Sequence, residues 1–179
     1  MGESDRALHV VFVGAMGSGK TTIGRPVAHA LARPFLDNDA MLEAATGESA
    51  AALSERDGID ALHRAEAAIV VEALRRAEPA VITAAASTIT DAGVRARLGE
   101  RAWVAWLRAD HATLAARLPE SDERPFSAAN ADRLVADQAA ERDALFAEVA
   151  DATFETGRAD VDGVVNALLR ALAEAGFHT

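Results

Sequence analysis

Short apolar runs alternate with longer helical stretches along this 179-residue chain. Leu8-His9-Val10-Val11-Phe12-Val13 is β-branched and aromatic and stops at Gly14, which predicts a buried strand. A helix is expected from Lys20 to about Ala32, although Pro26 removes its bond to the Thr22 carbonyl and predicts a kink. Pro34 then precedes a short strand, Phe35-Leu36. Helical stretches follow at Ala40 to Ala45, Ala50 to Arg56 and Ile59 to about Ala77. In the last of these, Leu62, Ala65, Ile69, Ala73 and Leu74 recur at helical spacing.

Ala80-Val81-Ile82-Thr83 and Ala102-Trp103-Val104-Ala105-Trp106-Leu107 predict two more strands, with a helix from Asp91 to Leu98 between them. Helix returns from His111 to Leu118 and from Asn130 or Ala131 to Phe146. Ala152-Thr153-Phe154 is a fifth strand, and Val161 to Ala175 closes the chain with Asp160 as its N-cap. Strands alternating with helices predict a parallel sheet covered on both faces. Two polar stretches read as insertions on that core, Ala40 to about Asp57 and Pro119 to about Ala129.

Composition narrows the chemistry. There is no cysteine and no tyrosine, so thiolate nucleophiles, disulfides and phenol acids are excluded. The net charge of −10 argues against broad nucleic-acid binding. No apolar run is long enough for a membrane span, and a cytoplasmic monomer with no membrane or nucleic-acid partner is the expectation. About a quarter of the residues are alanine, which favours helix. Of the 18 basic residues, 17 are arginine and only Lys20 is lysine. A GC-rich genome accounts for scarce lysine, but not for where this one sits.

Lys20 lies in Gly14-Ala15-Met16-Gly17-Ser18-Gly19-Lys20-Thr21, which fits G-x-x-x-x-G-K-[ST] at every fixed position, with a strand before and a helix after. Glycines let the backbone turn its N–H groups onto phosphate oxygens, and the helix N-terminus adds partial positive charge. Lys20 is placed to reach the outer phosphates, and the Thr21 hydroxyl suits Mg²⁺. The expectation is a nucleoside triphosphate site formed by residues 14–21, with Thr22 beside it.

The surroundings add Thr22-Ile23-Gly24-Arg25, Pro34-Phe35-Leu36-Asp37-Asn38-Asp39, Thr46-Gly47, Arg124-Pro125 and Glu141-Arg142-Asp143. In that order and spacing the chain resembles the shikimate kinase family, from about residue 8 to 170. The resemblance implies an α/β, three-layer P-loop kinase fold with five parallel strands, a substrate-binding insertion at about 38–65 and a lid at about 118–129. It also implies ATP and Mg²⁺, a small hydroxylated acceptor, and a place in aromatic amino acid biosynthesis. Carried across residue by residue, Asp37 resembles the carboxylate that helps hold Mg²⁺, and Asp39 the one that binds the acceptor hydroxyl and takes its proton. Arg117 resembles the arginine that stacks on adenine, Arg124 the lid arginine on the transferring phosphate, and Arg142 a clamp on the acceptor carboxylate. Read without the resemblance, Asp37 and Asp39 also fit a strand end and helix cap, and Arg117, Arg124 and Arg142 fit solvated surface.

Two features of the acceptor half depart from the family. Three glycines are usual after the third strand, where this chain has Ala84-Ala85-Ala86, and alanine is expected to resist both close backbone approach and positive φ. A second arginine clamp is usual on the long helix, in an F-R-x-x-E-like pattern. Leu62-His63-Arg64-Ala65-Glu66 instead aligns His63 with it, as a replacement ligand or an ordinary helical histidine. The acceptor half of the site is therefore expected to be altered, taking shikimate in a different pose or another hydroxy acid or cyclitol. A nucleotide-binding homologue without this activity and a nucleoside monophosphate kinase are the alternatives.

Overall fold

The computed structural model describes residues 8–117, 142–157 and 160–177. Among these residues the strands β1 (His9–Val13), β2 (Phe35–Leu36), β3 (Val81–Thr83), β4 (Ala102–Arg108) and β5 (Ala152–Glu155) form one sheet. All neighbours pair in parallel, in the order β2-β3-β1-β4-β5. The helices are α1 (Lys20–Ala30), α2 (Asn38–Thr46), α3 (Ala50–Asp57), α4 (Ile59–Leu74), α5 (Ala92–Arg101), α6 (His111–Arg117), α7 (residues 142–149) and α8 (Val161–Glu174).

Period-two alternation sorts the strand residues onto two covered faces. Val11, Val13, Ile82, Val104 and Trp106 pack with Val70 and Leu74 of α4, Leu98 of α5 and Phe146 of α7. Val10, Phe12, Val81, Trp103 and Leu107 pack with Ile23 and Val27 of α1 and Leu168 and Leu172 of α8. Each such side chain, once fully buried, contributes roughly 1.5–3 kcal/mol. Because β1 is buried along its whole length, the loop leaving its end at Gly14 has a rigid base. A smaller cluster of Leu42, Leu53 and Leu62 ties α2 and α3 to the start of α4. Among the described residues no helix is long and apolar enough to cross a membrane.

Several boundaries move for identifiable reasons. Helix α1 runs unbroken through Pro26 and ends at Ala30, because Ala32 turns into the left-handed region at φ 50°. Helix α2 starts at Asn38 rather than Ala40: the Asp37 side chain accepts the Asp39 N–H, so the cap lies earlier and Asp39 joins the first turn. Helix α4 stops at Leu74, and α5 extends to Arg101 and runs directly into β4. The inward stripe of α4 is also rotated from the expected one. Glu66 and Val70 are buried with Leu62, Ala73 and Leu74, while Ala65 and Ile69 face the α2–α3 cluster. A 3₁₀ turn, Ala86–Thr90, follows β3. The expected lid, and most of the helix expected from Asn130 or Ala131, lie outside the described residues.

Candidate active site

All five strands point the same way, so the loops at their C-terminal ends gather on one edge of the sheet, the usual place for ligands in open α/β folds. The loop after β1 is held by glycine. Gly14, Gly17 and Gly19 have φ of 143°, 81° and 94°. A Cβ on Gly14 would lie 2.3 Å from the Leu107 carbonyl oxygen of β4, so no other residue fits that close approach. Behind the loop, the Thr156 hydroxyl donates to the Ser18 carbonyl at 2.9 Å, tying it to the end of β5. Ser18 Oγ is buried and finds no partner among the described residues.

Lys20 opens α1 and curls back over the loop. Its Nζ donates to the carbonyls of Gly14 at 2.8 Å and Ala15 at 3.0 Å. Burial pulls its ammonium down to about 8, opposed by the charges of Asp39, Asp37 and Glu66. The same three carboxylates that partly offset this burial would be supplemented by anionic phosphates.

Asp37 holds two partners at once. Oδ2 accepts from Thr21 Oγ1 at 2.8 Å, and Oδ1 accepts from the Asp39 N–H at 3.1 Å. The cap and the ligand roles are therefore compatible in one side chain. A hydroxyl and a carboxylate side by side are the hard oxygen donors Mg²⁺ prefers, and Mg²⁺ typically keeps several waters and substrate phosphates in its shell. Among the described residues no cluster of three or more His, Asp or Glu could hold a metal; a phosphate-bound Mg²⁺ would take further ligands from the nucleotide and water. Asp39 is exposed on the first turn of α2, close enough to act on both Lys20 and Glu66.

Across from the phosphate loop lies a second group of charges. Glu66 of α4 is 7 % exposed and accepts a short hydrogen bond from Ser87 Oγ on the 3₁₀ turn. Burial pushes its carboxyl up; Asp39 adds to this, while the Ser87 bond and the charges of Arg142 and Lys20 oppose it. His63, one turn earlier, is half-buried, and burial and the nearby Arg142 both lower its pKa from 6.5. Arg142 opens the described part of α7 and acts on both residues. His63, Arg142 and Asp39 are thus brought together around Glu66.

The alanine triplet behaves differently from the expectation. Among the described residues Ala32 is the one non-glycine with positive φ, so Ala84, Ala85 and Ala86 carry no left-handed strain. Ala84 is buried in the core and donates its N–H to the Phe12 carbonyl at 3.0 Å; Ala86 packs against the same cluster. Ala85 belongs to neither core face and is half-buried, with φ −63° and ψ 147°.

Arg117 closes α6 and reaches across the loop ends. It donates to the Thr156 carbonyl at 2.6 Å and, more weakly, to the Gly17 carbonyl at 3.4 Å. Arg117 is an exposed residue, and its guanidinium is set beside the phosphate loop. Arg124 lies outside the described residues. Sequence reasoning missed Glu66, Ser87, Thr156 and Asn38. Asn38 sits between the two aspartates, 4 % exposed, with both side-chain polar atoms unpaired among the described residues. For Glu66 a signal was present, because it falls four residues after Leu62 and four before Val70, on the inward face.

Comparison with known proteins bears on this arrangement. The family model described as shikimate kinase matches residues 16–173. A shikimate kinase of Burkholderia thailandensis is 37 % identical over 174 residues, covering 97 % of this chain and 94 % of that protein. The structure of a shikimate kinase from Acinetobacter baumannii in complex with shikimate superposes with a TM-score of 0.88 at 28 % identity, covering 96 % of each chain. A gluconokinase from Sinorhizobium meliloti shares the fold, with a TM-score of 0.65 at 19 % identity over 95 % of this chain and 94 % of that one.

Proposed function

Because this chain belongs to the shikimate kinase family, we propose that it transfers the γ-phosphoryl group of ATP to a ring hydroxyl of shikimate or of a closely related carboxylate-bearing alcohol. Shikimate kinases are small-molecule kinases that use ATP and Mg²⁺. The observation that carries the reading is one of placement. The charge of Asp39 acts both on Lys20, at the phosphate loop, and on Glu66, and the charge of Arg142 acts on Glu66 and His63.

The reaction then follows from what each residue can do. The loop N–H groups and Lys20 hold the β- and γ-phosphates, and Arg117 lays its exposed guanidinium on the base. Thr21 and Asp37 would hold Mg²⁺, which when bound neutralises phosphate charge. Asp39 orients the acceptor hydroxyl and takes its proton; the oxygen bonds to the γ-phosphorus as the bond to the β–γ bridging oxygen breaks, leaving ADP. Arg142 and His63 hold the acceptor carboxylate, with Ala85 beside it. Arg124 reaches the transferring phosphate from the lid, about 118–129. The insertion at 38–65 carries the acceptor pocket, within a cytoplasmic monomer.

An ADP-release panel of shikimate, quinate, gluconate, a cyclitol, AMP and CMP tests this reading. Shikimate or another carboxylate-bearing alcohol should raise ADP release well above background, and Asp39→Asn should remove about 10²–10⁴-fold of it while ATP still binds. A flat panel would sink the kinase reading, and a response to AMP or CMP alone would move the acceptor to a nucleotide.

A further inference from the structure

Strand β2 is two residues long, and its ladder to β3 consists of Phe35↔Val81 and Leu36↔Ile82. Continuing that register would set Asp37 opposite Thr83 and bring the Asn38 N–H to the Thr83 backbone carbonyl. The N–H goes instead to the Thr83 side chain, donating to Oγ1 at 3.0 Å in the protein interior. The hydroxyl therefore stands in for the next rung of the sheet, at the point where the chain turns out of β2 into α2. Thr83 has little room to move. It is 2 % exposed and lies beside Phe12 of β1, and the next N–H along, that of Ala84, donates to the Phe12 carbonyl at 3.0 Å.

This rung bears on the rotation of α2 about its own axis. Asn38 and Leu42 are four residues apart, so they share one side of the helix, and both are buried. Asp39, one residue on, is turned about 100° away and is exposed. Packing alone sets that rotation poorly at the start of α2, because the inward residue there is an asparagine whose amide finds no partner among the described residues. Burying such a group is unfavourable, and a bond to the backbone of the same residue opposes its withdrawal. Asp37 has a hold of its own, through Thr21 Oγ1 at 2.8 Å.

We propose that Thr83 is a positioning residue for Asp39: its hydroxyl, acting through the Asn38 N–H, sets the direction of the Asp39 carboxylate, and takes no part in holding nucleotide or Mg²⁺. This rests on the reading of Asp39 as the group that takes the acceptor's proton. The two halves of the Thr83 side chain separate cleanly. Valine keeps the branched shape and removes the hydroxyl, while serine keeps the hydroxyl and removes the methyl. Displacing a reacting group by about 1 Å costs on the order of 10²-fold in rate, so the loss of one rung is read in turnover before it is read in binding.

The test measures ADP release with shikimate, ATP affinity by isothermal titration, Mg²⁺ dependence and thermal melting. The proteins are wild type, Thr83→Val, Thr83→Ser, Thr83→Ala, and Asp39→Asn with and without Thr83→Val. Thr83→Val should lose about 10–100-fold in kcat, with ATP affinity and Mg²⁺ requirement within about twofold of wild type. Thr83→Ser should melt lower than wild type yet keep kcat within about threefold. In the Asp39→Asn background, Thr83→Val should cost less than about twofold more, since it acts through a carboxylate already gone. A role in packing alone reverses the first two results, because the methyl then matters and the hydroxyl does not, and that overturns the proposal. So does an equal loss from Thr83→Val with and without the Asp39 carboxylate, or a parallel loss of ATP affinity. Should Thr83→Val not fold, Thr83→Ala and Thr83→Ser, which both lack the methyl, carry the same comparison. Wild-type turnover in Asp39→Asn, or no ADP release from wild type with shikimate, would instead remove the reading of Asp39, and this inference with it.

Discussion

Asp37 makes two hydrogen bonds that serve different ends, and substitution can separate them. Oδ1 accepts the Asp39 N–H at 3.1 Å and caps α2; Oδ2 accepts from Thr21 Oγ1 at 2.8 Å and belongs to the proposed Mg²⁺ position. Asparagine is as good an N-cap as aspartate and keeps an oxygen for the cap, but it loses the charge. Alanine loses both. Losing a cap costs about 1 kcal/mol, within a range of roughly 0.5–2. For a chain of this length, 1 kcal/mol corresponds to about 2–4 °C in melting temperature. Without nucleotide, Asp37→Asn should melt near wild type and Asp37→Ala about 2–4 °C lower. Both should lose turnover and need more Mg²⁺, since neither keeps the carboxylate. Thermal melts followed by circular dichroism, with turnover measured across a Mg²⁺ series, read the two effects separately. Equal melting of the two variants would refute the cap assignment. Wild-type turnover and Mg²⁺ dependence in Asp37→Asn would refute the metal assignment.

Gly14→Ala should destabilise the protein by several kcal/mol, because its Cβ would sit 2.3 Å from the Leu107 carbonyl in a left-handed backbone; a melting temperature within 2 °C of wild type would contradict the packing described. Ala85→Gly should improve shikimate KM, whereas Ala84→Gly and Ala86→Gly should mainly lower stability, because those two methyls lie against the core; equal effects of all three on KM would reverse that distinction. His9 is buried, and its Nδ1 accepts the Ala80 N–H; burial chiefly lowers its pKa from 6.5. The unfolded chain therefore binds this proton first, and its contribution is complete above about pH 6.5 and lost as pH falls below it. Urea titrations of wild type and His9→Gln between pH 7.5 and 5 should show a steeper loss in wild type, while parallel curves would argue against a neutral buried His9. Glu66, raised by burial, works in the opposite sense, losing its contribution as pH rises above 4.5.

The phosphate loop was legible because its chemistry is contiguous: the glycines, Lys20 and Thr21 fall within eight residues. The five strands were legible because each is a dense apolar run with turn residues beside it. Asp37 and Asp39 fit a strand end and helix cap in the sequence, but α2 starts at Asn38, two residues before the expected Ala40, because Asp37 is the residue that caps it. The proposed acceptor side was harder to read, because its residues come from α2, α4, the turn after β3 and α7. Glu66 was hidden by choosing Ala65 and Ile69 for the inward stripe of α4, although those two positions face the α2–α3 insertion. Thr156 stands about 140 residues from the Ser18 carbonyl it supports, and no local pattern announces such a contact. The alanine triplet shows the limit of residue-type rules: a departure from glycine looked costly for the backbone, yet none of the three has positive φ, and of their methyl groups only that of Ala85 lies off the core.

The most direct test of the proposed activity follows the phosphorus. With wild-type protein, Mg²⁺-ATP and shikimate, ³¹P NMR should show a phosphomonoester signal growing in step with ADP, with proton–phosphorus coupling to a ring hydrogen. ADP appearing with inorganic phosphate alone, or no loss of the ATP γ-signal beyond a protein-free control, would contradict transfer to the acid's hydroxyl.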